Sequence, residues 1–99
     1  MAFIQIIECD TSDIDEVKSL TEEWKGRTEG KRTARRVLLC EDQDRSGHMY
    51  ELVFFDSPES ARDNSQLPET QEFAKRMSGV LGGEPAFRNL AVIEDFDLS

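Results

Sequence analysis

His48-Met49-Tyr50-Glu51-Leu52-Val53-Phe54-Phe55-Asp56 is the chain's longest run rich in β-branched and aromatic residues, and it falls near mid-sequence. Read as a strand, it places His48, Tyr50, Leu52 and Phe54 on one face and Met49, Val53 and Phe55 on the other. Only Glu51 breaks the second face. A strand apolar on both sides must be covered on both sides. The helices of a chain this short suffice for one side, so a second copy of the chain is expected to cover the other.

Working outward, Phe3–Cys9 reads as another two-faced, interior strand, with Gln5 its one central polar group. Asp13, followed three residues later by Glu16, reads as a capping box opening a helix to about Arg27. Ile14, Val17, Leu20 and Trp24 form its apolar stripe. Thr33–Glu41 reads as a second strand, joined to the central one by a polar turn ending in Ser46-Gly47. Ser57-Pro58 starts a short helix that Asn64–Pro68 interrupts. Pro68 opens another, with Phe73, Met77, Val80 and Leu81 on one face, and Gly82-Gly83 is expected to end it as a left-handed cap. Pro85–Glu94 is the expected last strand, and the acidic tail beyond it is expected to fray.

The 99 residues are expected to form one domain, residues 1–99. A 37% hydrophobic and 33% charged composition, with the apolar residues clustered, fits a globular rather than a disordered chain. A net charge of −9 argues against nucleic-acid and anionic-membrane partners. No apolar run is long enough to span a bilayer and the N-terminus does not read as a signal peptide, so the expected location is cytoplasmic. Cys9 and Cys40 are expected to be reduced, buried small hydrophobes. One histidine and two distant cysteines make a poor metal set.

The order β-α-β-β-α-β with a central hairpin specifies an α+β, ferredoxin-like antiparallel sheet with helices on one face. Strands one and three lie in its centre. The sheet's other face would then carry an apolar row too large for a soluble monomer. Two such sheets, face to face, form a dimeric α/β barrel.

In length, element order, two-faced strands and the interrupted helix Ser57–Leu81, the chain resembles the dimeric α/β-barrel superfamily. Within it, the chain is similar to small antibiotic-biosynthesis-monooxygenase-like proteins. The stretch Asn64–Phe73 resembles uncharacterised actinobacterial members. The resemblance implies a homodimer and a monooxygenase-like activity on a small aromatic or polyketide-like molecule, with no cofactor. The substrate would be ionised and would react with oxygen itself in a cleft between sheet and helices. Heme degradation in the same superfamily resembles this chain less, because Glu69–Leu81 has no histidine.

Candidate catalytic residues are His48, which titrates near neutral pH, Tyr50 on the same face, and Glu51. Each has a plainer reading: His48 at a solvated rim, Tyr50 in the core, Glu51 in an ion pair with Arg35, Arg36 or Arg88. Candidate substrate-binding residues are Gln5 and Asn89 as a facing pair on neighbouring strands, Trp24 as a pocket wall, and Arg36. The basic segment Lys25–Arg36 would guide an anionic ligand to the pocket mouth or remain a solvated turn. A non-catalytic ligand-binding or structural dimer is the alternative function. An isomerase or decarboxylase relying on His48 or Glu51 is a third.

Overall fold

β1 (Phe3–Asp10) and β3 (His48–Phe55) form the middle of a four-stranded antiparallel sheet of order β2-β3-β1-β4, in a computed structural model that describes residues 2–99. β2 (Arg36–Glu41) and β4 (Ala86–Ala91) are the edges. The central strands are the two whose sequences are apolar on both faces, which is the pattern a doubly covered strand requires.

The register assigns the faces. Phe3, Gln5, Ile7 and Cys9 oppose Phe55, Val53, Glu51 and Met49, and these lie beneath the helices. Ile4, Ile6, Glu8 and Asp10 oppose Phe54, Leu52, Tyr50 and His48 on the open face. A slip of one residue would exchange the two sets.

α1 (Ile14–Arg27) starts where expected: Asp13 Oδ1 accepts from Glu16 N at 3.0 Å. The reciprocal half of the box is absent, and Asp13 N instead donates to Thr11 Oγ1 at 3.0 Å. At the other end, buried Thr28 bonds the Trp24 carbonyl through both its amide and its hydroxyl, at 3.0 and 2.7 Å. Val17 and Leu20 pack against Met49 and Met77 to form the core, with Ile14, Leu39 and Phe73 around them.

α2 (Pro58–Ser65) and α3 (Pro68–Ser78) are separate helices, as the Asn64–Pro68 break predicts. α3 ends at Ser78 with Gly79 as its C-cap, earlier than expected, and Gly82-Gly83 does not adopt a left-handed cap. The reason is tertiary. Leu81 makes a β-bridge to Thr11, and Gly82 N donates to Asp10 O at 2.8 Å, so this segment pairs with the end of β1. β2 is also shorter than expected, starting at Arg36 although Arg35 N still donates to Phe54 O at 2.7 Å; the Arg35 side chain binds Asp56, with Nη2 and Oδ2 2.6 Å apart. β4 is shorter too, and residues 93–99 form no helix or strand.

Gly47 is the tight point of the β2–β3 hairpin. Its φ is +83°, and an added Cβ would stand 2.6 Å from Thr11 O. Thr11 N donates to Gly47 O at 2.8 Å, which locks the hairpin turn against the end of β1.

Candidate functional site

The helices do not seal onto the sheet. Between α3 and the covered face lies a cleft of about 340 Å³. Gln5, Ile7 and Cys9 of β1 line it, with Glu51, Val53 and Phe55 of β3 and Phe87 of β4. Trp24 closes it from α1, and Phe73, Ala74 and Met77 from α3. The lining is mostly apolar, as small-molecule sites commonly are.

Glu51 is the one ionisable carboxyl in this lining. Its cross-strand neighbours are Ile7 on β1 and Leu39 on β2. Burial among them pushes its carboxyl up from 4.5 to about 7. Among the described residues no side chain hydrogen-bonds or ion-pairs with it. The expected arginine partners are engaged elsewhere. Arg35 binds Asp56, Arg88 binds Glu8 at 2.9 Å, and the Arg36 guanidinium lies 5.8 Å over the Phe54 ring on the other face. The ion-pair expectation for Glu51 is therefore corrected: a carboxyl near its titration midpoint at neutral pH faces an apolar cleft.

Trp24 is buried, and its Nε1 donates to Thr70 Oγ1 at 3.0 Å, which ties α1 to α3. Its ring is tilted against Phe73, with centroids 6.0 Å apart, and carries the Arg32 guanidinium 5.9 Å away. Gln5 lies in the cleft and opposes Asn89 in register; Gln5 Nε2 donates to Asn89 Oδ1 at 3.3 Å. Thus Gln5, Trp24 and Glu51 share one cleft, with Asn89 reaching it through Gln5.

His48 and Tyr50 do not join them. Both lie on the open face of the sheet. His48 is buried rather than at a solvated rim, held by Asp10 Oδ1 at 2.6 Å on Nδ1 and Glu8 Oε2 at 2.6 Å on Nε2. Two carboxylate acceptors require both ring nitrogens to donate, which is the imidazolium form. The bonds to Asp10 and then Glu8 accordingly raise the His48 pKa, despite burial acting the other way. Glu8 also accepts from Arg88 at 2.9 Å, and its own pKa is lowered, first by His48 and then by Arg88. Tyr50 stands edge-on to the His48 ring at 5.3 Å.

One cleft residue escaped the sequence reading. Asn64, read there only as a helix interruption, is buried at the end of α2 and lines the cleft. Its Oδ1 accepts from Thr33 N at 3.3 Å. A buried amide needs partners, and the signal available was a polar side chain at a break between two amphipathic helices. Cys40 is exposed, contrary to expectation, because it sits on the edge strand's open face. Cys9 lies on the covered face, so the sheet separates the two thiols. Among the described residues no cluster of three His, Cys, Asp or Glu side chains could hold a metal ion, and no helix is long and apolar enough to cross a membrane.

A four-stranded α+β ferredoxin-like sheet with helices on one face is the architecture of the antibiotic-biosynthesis-monooxygenase-like proteins, and the chain has that fold. No protein-family model and no curated protein matches it in sequence. Similar solved structures include Rv0793 from Mycobacterium tuberculosis, at 14% identity and TM-score 0.79, covering 98% of this chain and 100% of that one. A Caulobacter crescentus protein provisionally named an antibiotic biosynthesis monooxygenase matches at 10% identity and TM-score 0.81, over 94% of this chain and 91% of that one. A single-residue variant of SnoaB, a cofactor-independent oxygenase from Streptomyces nogalater, matches at 8% identity and TM-score 0.81, over 95% of each chain. At these identities the likeness is one of fold.

Proposed function

We propose that the cleft binds a small, electron-rich aromatic molecule of the phenolic or polyketide type and that the protein is a cofactor-independent monooxygenase. The observation that carries this reading is Glu51, an unpaired carboxyl raised to about 7 in an apolar cleft. A general base works best with a pKa near the operating pH. Glu51 takes the phenolic proton, and the ring becomes an electron-rich phenolate. Phenolate and dioxygen then form a C–O bond. The ring carbon then loses its hydrogen as a proton while the O–O bond breaks; one oxygen stays as a new ring carbonyl, and the other leaves as water with that ring proton and the proton Glu51 returns. One phenol and one dioxygen thus yield one quinone and one water. Gln5 and Asn64 orient the ring oxygens, and Trp24, Phe73 and Met77 hold the ring and exclude water.

The same reading places a second copy of the chain over the open face, where Ile4, Ile6, Leu38, Leu52 and Phe54 are half-buried in one chain. The fold's likeness to the monooxygenase-like proteins and this apolar row support it. A cytoplasmic setting accords with two free thiols on opposite sheet faces. The alternative is a ligand-binding protein without catalysis. The Gln5–Asn89 bond favours it, since the Gln5 amide of the cleft is then spent on a neighbouring side chain.

Oxygen uptake with a panel of naphthols and anthrols tests the reading. Turnover that Glu51→Gln abolishes supports it. Binding of the panel with no oxygen uptake in the unmodified protein supports the alternative, and turnover without oxygen uptake supports an isomerase or decarboxylase.

A further inference from the structure

A second cleft, of about 390 Å³, lies on the other side of Trp24, between α1 and the open edge of β2. Trp24 and Val37 line both clefts, so the two share a wall. Their chemistry differs sharply. The cleft beneath α3 holds no cation and one carboxyl. The second is lined by Lys25, Arg32, Arg35 and Arg36 against a single acid, Glu22. Four of the chain's twelve basic residues meet here, in a protein of net charge −9.

Most of these cations lack an acidic partner. Outside the cleft, Arg27, Lys31, Arg76 and Arg88 are each bound to a glutamate, and the other four Lys and Arg side chains are scattered over the surface. Here only Arg35 has a carboxylate, Asp56. Lys25 and Arg32 have none among the described residues, and the Arg36 guanidinium lies over Phe54 on the open face. Arg32 is positioned by donating to the Lys25 carbonyl at 2.7 Å and by the face of Trp24. Clustered like charges repel one another, and an anion placed among them relieves that repulsion.

We propose that the ligand is amphipathic: a neutral hydroxyaromatic ring system in the α3 cleft, joined to an anionic arm, a carboxylate or phosphate, that lies past Trp24 against Lys25 and Arg32. This inference rests on the α3 cleft being the ring site. It adds the charge and direction of the rest of the ligand. The permanent charge of the arm is better placed against Lys25 and Arg32 than in the α3 cleft, whose lining offers it no cation.

Isothermal titration calorimetry at low salt with 6-hydroxy-2-naphthoic acid, its methyl ester and inorganic phosphate tests the proposal. The acid and ester share ring and hydroxyl and differ in the anionic group. The acid is expected to bind about tenfold tighter than the ester. That ratio falls as salt is raised, and it falls in Lys25→Gln and further in Lys25→Gln/Arg32→Gln. Equal affinity of acid and ester overturns the amphipathic ligand but leaves the ring site standing. Phosphate binding as tightly as the acid overturns it too, by showing an independent anion site. Failure of both naphthalenes to bind overturns the ring site itself, and the proposal with it.

Discussion

Glu51 stands directly across from Ile7 in the β1–β3 ladder and from Leu39 in the β2–β3 ladder. A carboxylate so flanked, in the middle of the sheet and beneath a helix, loses hydration without gaining a counter-charge. That single relationship accounts for both its raised pKa and the stability cost of ionising it.

Raising the Glu51 carboxyl from 4.5 to about 7 corresponds to about 3 kcal/mol. The folded state holds this proton more tightly than the unfolded one, so Glu51 makes stability fall as pH rises from 4.5 to about 7. Glu51→Gln is therefore expected to raise stability at about pH 8 by up to about 3 kcal/mol. Little gain is expected near pH 4. Urea titrations of both proteins at the two pH values measure this, and a pH-independent difference would contradict it.

The Glu8–His48–Asp10 group has the opposite sense. The raised His48 pKa gives stability that is full below its unfolded 6.5 and lost as pH rises through the folded value. The lowered Glu8 pKa gives stability that is full above 4.5 and lost as pH falls through its folded value. The group should therefore contribute most between these limits. His48→Gln is expected to lower Tm clearly more at about pH 6 than at about pH 9. Oxygen uptake, referred to folded protein, should survive this substitution, because His48 is on the face away from the cleft.

Two glycines should respond in opposite directions to alanine. Gly47, at φ +83° and with Thr11 O 2.6 Å from an added Cβ, should lose about 1–3 kcal/mol. Gly26 lies within α1 with nothing within 4 Å of an added Cβ, and should gain about 0.5–1 kcal/mol. Thermal melts of the two variants separate backbone strain from helix propensity.

Leu52 lies between Leu38 and Ile6 in register, at the centre of the open face's apolar row. Light scattering is expected to give the mass of two chains of 11.3 kDa each, and Leu52→Asp that of one. A monomeric unmodified protein would remove the second copy from this face.

Much of this architecture was legible because it rests on local pattern. The two-faced β1 and β3 announced the central strands, and Ser57-Pro58 and Pro68 announced two helix starts. The end of α3 was not legible, since Leu81 leaves the helical pattern only by bridging Thr11. Nor was the choice of face, because Ile4 and Ile6 are as apolar as Phe3 and Ile7. The register decides that His48 and Tyr50 lie away from Glu51. It also brings Glu8 and Asp10, forty and thirty-eight residues distant in sequence, onto one imidazole. The missing partner of Glu51 was hidden for the same reason: it depends on Arg35 and Arg88 finding other acids.

The most direct test is the titration of Glu51 itself. Carboxyl ¹³C chemical shifts in glutamate-labelled protein, with Glu51 assigned by its loss in Glu51→Gln, give its pKa in the unliganded fold. A value of about 7 is the expected result. A value near the ordinary 4.5 would mean a solvated or paired carboxylate, and the proton-accepting cleft would be contradicted.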